Sequence, residues 1–162
     1  MNILCELVKK ANGRINVKNA IAEKEVFFQW KNGLSLEKIN EFEKDTDIHI
    51  PEYYKAFLLL SNGGVIFNSD EDDGYELLGL DEIKSYTEEL KSDGYDIPEG
   101  CYCFLKCFFC DDILLFDTQK KSNIILDGDV GYPVDEWEYL KMDLNAFFVR
   151  LVQCNGAMYW RW

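Results

Sequence analysis

The sequence has little of what catalytic chemistry usually requires. It contains a single histidine, His49, and lacks the Gly-x-Ser-x-Gly, Walker A and His-Glu-x-x-His patterns of hydrolases, phosphate-binding loops and zinc proteases. His49 lies between Ile48 and Ile50, where we expect an extended segment with the imidazole facing solvent. A Cys–His catalytic pair would therefore have only this one candidate base. These absences disfavour an enzyme, and we expect a non-catalytic protein.

Long apolar runs are also missing. No stretch approaches the roughly 18 apolar residues that a membrane-spanning helix needs, so we expect no membrane partner. The first residues, MNILCELVKKANGR, do not follow the order basic, apolar, small that export signals show. We therefore expect a cytoplasmic protein whose six cysteines are reduced thiols rather than disulfides.

Basic residues are scarce, and the shortage is local. The chain has 17 Lys and Arg against 30 Asp and Glu, which gives a net charge of −13. Residues 66–96 hold most of the excess, because this stretch contains eleven acidic residues and only two basic ones, Lys84 and Lys91. Nucleic acid is disfavoured as a partner, since phosphate binding needs positive charge. A basic protein or a divalent cation is the natural complement, although acidic loops can also serve solubility alone.

The acidic stretch NSDEDDGYE, residues 68–76, does not fit a calcium loop. If Gly74 stood at the glycine of an EF-hand loop, Ser69 would be the first ligand and Leu80 the last. The last position of the loop must supply a side-chain carboxylate, and the leucine side chain has no oxygen. This excludes that loop type and leaves only weak cation binding open.

Four cysteines stand within ten positions in CYCFLKCFFC, residues 101–110. In a strand that advances about 3.3 Å per residue, the first and last of these cysteines would be about 30 Å apart. They could share a zinc ion only if the chain folded back, so we expect no metal and no other cofactor. The residues predicted to share one strand face are Cys101, Cys103, Leu105, Cys107 and Phe109. We expect reduced, mostly buried thiols.

Hydrophobic periodicity predicts one α+β domain with a largely antiparallel central sheet flanked by helices. The predicted helices cover about residues 3–11, 36–46, 51–61, 81–91 and 144–152. The predicted strands cover about residues 65–67, 75–78, 102–109, 113–117 and 122–126.

The chain divides into a domain and two flanking parts. We expect a helical N-terminal extension over residues 1–33, the domain over 34–152, and an aromatic C-terminal tail packed on the domain over 153–162. The pattern of residues 21–30, which ends in VFFQW, does not distinguish helix from strand. The end of the tail, MYWRW, is too apolar to be left in water.

Four segments in this order resemble the SUKH superfamily, named for the Smi/Knr cell-wall regulators. They are LSLEKINEFEKDTDIHIPEYYKAFLLLSNGG at 34–64, ELLGLDEI at 76–83, CYCFLKCFFCDDILLFDT at 101–118 and EWEYLKMDLNAFFVRLV at 136–152. The positions that match the first and most specific motif are Ile39, Phe42, Glu43, Ile50, Pro51, Tyr54, Phe57, Leu58, Asn62 and Gly63.

This resemblance implies a binding module rather than an enzyme. Many bacterial SUKH proteins are immunity proteins that neutralise toxin domains, often nucleases, whereas fungal relatives act as interaction hubs in cell-wall regulation. Together with the acidic charge of this chain, the resemblance implies an immunity protein that binds a basic toxin domain. A regulatory or scaffold module for protein interaction is the alternative.

Charge and resemblance together predict the residues that contact the partner. Acidic side chains speed encounter and select the partner, while a few aromatic anchors supply most of the binding energy. The candidate acids are Asp70, Glu71, Asp72, Asp73 and Glu76, with Asp111 and Asp112 if the hairpin turn lies nearby. The candidate anchors are Tyr75, Tyr132 and Trp137, for each of which packing in the core is the competing interpretation. The oligomeric state stays open.

Overall fold

The computed structural model describes residues 1–18, 23–69 and 73–162. Within these ranges the chain forms five α-helices and one eight-stranded sheet. The helices are α1 (Ile3–Lys10), α2 (Leu36–Thr46), α3 (Glu52–Leu58), α4 (Leu80–Ser92) and α5 (Leu144–Gln153). The strands are β1 (Gly13–Lys18), β2 (Glu23–Trp30), β3 (Gly64–Asn68), β4 (Tyr75–Leu77), β5 (Cys101–Cys107), β6 (Ile113–Asp117), β7 (Ile125–Gly128) and β8 (Glu138–Tyr139). Two short 3-10 helices cover Val134–Glu136 and Tyr159–Arg161.

The strands lie in the sheet in the order in which they follow along the chain. Each one pairs antiparallel with the next, from β1 to β8. Helices α1, α3 and α5 contact one another, and α4 packs against β5. The α+β class predicted from the sequence is confirmed. In the part of the chain that the structure describes, every helix is too short or too polar to cross a membrane.

The N-terminal part differs from the predicted helical extension. Among the described residues of 1–33, only Ile3–Lys10 is helical, because Gly13–Lys18 and Glu23–Trp30 are strands of the central sheet. Side chains alternate between more and less exposed along both strands, and Val26 and Phe28 are buried. The VFFQW run, whose sequence pattern does not distinguish helix from strand, therefore lies in a strand and places every second side chain in the core. The domain boundaries stay a prediction.

A cluster of aromatic rings between helices and sheet forms the centre of the core. Tyr54 on α3 is fully buried and packs edge-on against Phe57 and Phe104, with ring centroids 5.1 and 5.7 Å away. Phe104 on β5 also contacts Phe148 of α5 at 6.3 Å. The Tyr54 hydroxyl lies 2.8 Å from the carbonyl oxygen of Leu78 and 3.2 Å from that of Phe104. A buried hydroxyl is thereby satisfied and ties α3 to the sheet.

The polar residues of the Ile-Pro-x-x-Tyr region bind the backbone of the fold itself. Glu43 Oε1 accepts a hydrogen bond from the Ile50 amide at 2.8 Å, which fixes the segment between α2 and α3. Asn62 Oδ1 accepts one from the Leu80 amide at 2.8 Å, at the first turn of α4. Gly63 has a φ of +90°, and a Cβ there would lie 2.7 Å from a backbone oxygen. These motif residues build the structure rather than a surface.

The cysteine-rich strand contains an irregularity that the sequence does not predict. Cys103 pairs with Leu115 but Leu105 pairs with Leu114, so β5 carries a bulge between them. Adjacent residues of β6 face opposite sides, and Cys103 and Leu105 therefore do so too. The prediction of one shared face along the strand is wrong beyond this point. The Cys103 amide is released from the ladder and donates to Thr87 Oγ1 on α4 at 2.9 Å.

The thiols of β5 are buried, as expected. Cys101, Cys103 and Cys107 are free cysteines within the core. Burial raises the pKa of Cys101 to about 11 and that of Cys103 further. Both groups are consequently protonated and unreactive near neutral pH.

Alkylation can test this arrangement. With iodoacetamide at about pH 8, we expect Cys101 and Cys103 to stay unmodified in the folded protein, because only the thiolate reacts and their raised pKa suppresses it. The partly exposed Cys5 and Cys154 are the internal reference and react first. Peptide mass spectrometry before and after unfolding in guanidinium reports each site. Rapid labelling of Cys103 in the native state would contradict the structure.

Removing the Tyr54 hydroxyl should destabilise the domain. We expect Tyr54→Phe to lower the free energy of unfolding by about 1–3 kcal/mol, because buried carbonyl oxygens lose a donor. The matched control is Tyr132→Phe, whose ring is exposed and for which we expect a change within about 0.5 kcal/mol. Urea unfolding followed by circular dichroism gives both values, and equal midpoints would contradict the assigned role.

Candidate partner-binding surface

The acidic loop between β3 and β4 is only partly described. Asp70, Glu71 and Asp72 lie outside the described residues. Asp73 is half-buried and forms an ion pair with Lys24 of β2, and its backbone oxygen accepts from Asn68 Nδ2 at 2.9 Å. The end of this loop is therefore held against the strands.

Tyr75 and Glu76 lie on opposite sides of the sheet, since they are neighbours in β4. Tyr75 is fully buried, and its hydroxyl donates to the Gly156 carbonyl at 2.8 Å. Glu76 is half-buried and pairs with Lys106 of β5 at 3.3 Å. Tyr75 is thus a core residue, and the competing interpretation given for it above fits the geometry.

The turn between β5 and β6 lies beside the acidic loop. The Phe108 amide donates to the Gly74 carbonyl at 3.0 Å, and the Phe109 ring packs edge-on against Tyr75 at 5.8 Å. Strand β5 ends at Cys107, so both phenylalanines stand in the turn, 41% and 43% exposed. Asp111 is exposed in the same turn. We call Asp73, Phe108, Phe109 and Asp111 the hairpin tip.

Asp112 is directed inward. Its side chain is buried, with Oδ1 accepting from the Val130 amide at 3.1 Å and Oδ2 contacting Arg161 Nη1 at 2.5 Å. Both oxygens are therefore engaged within the chain. Asp112 and Asp111 are adjacent in sequence but lie in different environments.

Arg161 binds three aspartates at once. Its Nε and Nη2 donate to the two carboxylate oxygens of Asp127 at 3.0 and 2.8 Å, while Nη1 contacts Asp112 and, at 3.2 Å, Asp129. Hydrogen bonds to Asp127 are the main reason why the guanidinium pKa lies above its usual value. Paired donors of this kind match a carboxylate in both position and direction. The tail is thereby fixed to β7 and to the start of β6.

Tyr132 and Trp137 lie next to this ion cluster and line a recess together with Arg161. Trp137 is buried, and its Nε1 is within hydrogen-bond distance of the carbonyls of Asp129 (2.8 Å) and Tyr132 (3.2 Å). Tyr132 itself is 58% exposed. Of the three aromatic candidates, only Tyr132 presents its ring to solvent.

The C-terminal tail connects these groups. Trp160 packs against Tyr75 at 5.9 Å and against Phe147 of α5 at 5.1 Å, and the buried Tyr159 donates to the Phe147 carbonyl at 3.0 Å. A cleft of about 270 Å³ lies beside the hairpin tip and includes Phe109 and Met158 in its lining. The tail therefore forms one wall of the surface next to the tip.

The described residues offer no arrangement for metal catalysis. They contain no group of three or more His, Cys, Asp or Glu side chains that could hold a metal ion. The His49 side chain is 74% exposed, and its Nε2 lies 3.8 Å from Asp47 Oδ1. The surface instead combines exposed aromatic rings with carboxylates, which suits protein recognition.

Sequence reasoning missed Phe108, Phe109 and Arg161 as residues of this surface. Phe109 was expected inside, because β5 was expected to continue to it. FFCDD gives no local signal of this exposure, because adjacent strand residues such as Leu115 and Phe116 are both buried in this sheet. The role of Arg161 had no local signal, because its three partners are 32 to 49 positions away in the chain.

Comparisons with known proteins agree with the resemblance in the sequence. The model of the SMI1 / KNR4 family (SUKH-1) matches residues 33–149. YnaB of Bacillus subtilis (strain 168), an uncharacterized protein, is 32% identical over 136 residues, which cover 82% of this chain and 86% of YnaB. YobM of the same strain, also uncharacterized, is 29% identical over 140 residues, or 79% of this chain and 70% of YobM.

The ion cluster at the tail predicts an unequal cost for two arginines. We expect Arg161→Ala to lower the free energy of unfolding by about 2–3 kcal/mol, because it leaves partly buried carboxylates without their cation. The matched control is Arg14→Ala, which breaks an exposed pair with Glu25 and should cost less than about 1 kcal/mol. Denaturant unfolding measures both, and the prediction fails if the two losses are equal.

Proposed function

Because the chain belongs to the SMI1 / KNR4 family (SUKH-1), we propose that it is an immunity protein of the cytoplasm that binds and neutralises a basic toxin domain. The hairpin tip makes the principal contact. Binding requires no chemistry from this chain, since covering the toxin's working surface is sufficient to block it.

One observation carries this proposal above all: Phe108 and Phe109 are adjacent, each is about two-fifths exposed, and the exposed Asp111 stands in the same turn. Apolar rings that are exposed singly are common on proteins, but an exposed pair in a tight turn marks an interaction site. The turn is also held rigidly, by the Phe108 amide on Gly74 and by Tyr75 beneath Phe109. Little conformational entropy would be lost when a partner covers it.

The charges around the tip favour a basic partner. Asp111 is exposed in the turn, Asp73 belongs to the tip, and the sequence directly before Asp73 adds Asp70, Glu71 and Asp72. Carboxylates at the rim attract a basic domain before contact and raise its association rate, while buried rings at the centre slow its release. A toxin that acts on nucleic acid carries the positive surface that this arrangement fits.

The Phe pair provides the test. Basic toxin domains are co-expressed with the chain in bacteria, starting with any that genes next to its own encode, and binding of each purified pair is measured by titration calorimetry. We expect Phe108→Ala with Phe109→Ala to weaken binding by about tenfold to a thousandfold and to abolish protection of growth. The change removes the proposed anchors but not the core of the fold.

Leu36→Ala with Leu60→Ala is the matched control. These leucines are exposed to a comparable extent on another part of the chain, so binding and protection should persist. Raising the salt concentration should weaken binding by the unmodified protein, because exposed charges are screened. A protective complex that is indifferent to the Phe substitutions would refute the tip as the contact, and the absence of any toxin binding would refute the immunity function.

A further inference from the structure

A second recess lies beyond the ion cluster, between the segment after α4 and the segment before β8. It is a groove of about 750 Å³ lined by residues 94–99 and 132–135. We call it the Tyr132 groove. It is continuous with the surface already described, because Trp137 packs against Tyr95 of the groove at 6.2 Å and binds the Asp129 carbonyl beside Arg161.

The lining of the Tyr132 groove is apolar at its base. Ile97 is buried, Tyr95 and Val134 are partly buried, and Tyr132 stands exposed at one wall. Pro98 and Pro133 are exposed on the two sides. Prolines and the Trp137 hydrogen bond to the Tyr132 carbonyl hold both walls in place, so the recess is preformed.

The rim of the groove carries charge of one sign. Asp96, Glu99 and Asp135 are exposed around it, and the described lining includes no lysine, arginine or histidine. The adjoining recess adds exposed Glu136 and Glu138, and the arginine there is already paired with three aspartates. The groove is therefore negative at its rim and apolar at its base.

From this combination we propose that the Tyr132 groove binds an extended basic segment of the toxin, in which cationic side chains meet the rim and apolar side chains cover the base. The inference rests on the proposed function and deepens it, because the toxin would be held at two places, at the hairpin tip and in the groove. An extended chain presents side chains alternately to two sides, which matches an acidic rim over an apolar base. The exposed Tyr132 ring can in addition receive a cation on its face. A second copy of this chain does not fit, since each carries a net charge of −13.

A labelled peptide tests the groove without the toxin. The probe is a fluorescein-labelled heptapeptide in which arginine alternates with leucine, and its control has glutamate in place of arginine. Anisotropy is measured with the full chain at low and at higher salt. We expect only the arginine peptide to bind, with affinity that falls as salt rises. Asp96→Asn with Asp135→Asn should weaken it about fivefold and Tyr132→Ala about tenfold.

The matched control for charge is Glu37→Gln with Glu41→Gln, two exposed acids on α2, which should leave peptide binding unchanged. Equal loss in this control, or no binding of the arginine peptide, overturns the groove. Toxin titrations separate the two proposals. Toxin affinity that depends on the Phe pair but not on the groove leaves the proposed function standing and removes the inference. Binding of the arginine peptide in the groove without any toxin binding supports the groove as a site for basic peptides and refutes the proposed function.

Discussion

The Tyr54 hydroxyl is the point at which helices and sheet are joined. It sits fully buried within hydrogen-bond distance of the carbonyls of Leu78, just before α4, and Phe104, at the bulge of β5. A bulge leaves backbone groups outside the ladder, and burying them unpaired would be costly. Here the Phe104 carbonyl accepts from the Leu78 amide at 2.9 Å in addition to its contact with Tyr54, and Thr87 of α4 accepts from the Cys103 amide. The position of α3 and α4 on the sheet thus depends on one irregular strand.

The polar residues of the family motif likewise satisfy backbone groups inside the domain, so the motif gives little information about function. Glu43, Asn62 and Tyr54 are polar residues of the kind that often form active sites, yet each binds backbone within the domain. A scaffold satisfied in this way leaves recognition to turns and chain ends, which vary without loss of the core. In this chain the hairpin tip presents the exposed phenylalanine pair, and the tail forms one wall of the surface next to it. Contacts with the domain hold both segments rigidly.

Negative charge acts in two ways in the molecule. Arg161 forms ion pairs with Asp112, Asp127 and Asp129, and these ion pairs fix the tail. Exposed acids such as Asp111 and Asp135 have no ion-pair partner among the described residues, and their fields reach into solvent. Net charge alone does not separate these roles, because an ion pair and a free carboxylate count equally in composition. The solvent-facing part of the acidity is therefore smaller than the net charge suggests.

The sequence by itself determined the α+β class, the limits of most helices and the burial of the β5 thiols, because these follow from periodicities of two and 3.6 residues. It also indicated an acidic surface for a basic partner. Tertiary structure alone decided that Gly13–Lys18 and Glu23–Trp30 form strands and that β5 ends at Cys107, which turns Phe108 and Phe109 outward. It likewise decided that Arg161 withdraws Asp112 from the surface. These outcomes depend on contacts between residues far apart in the chain, and no local pattern encodes them.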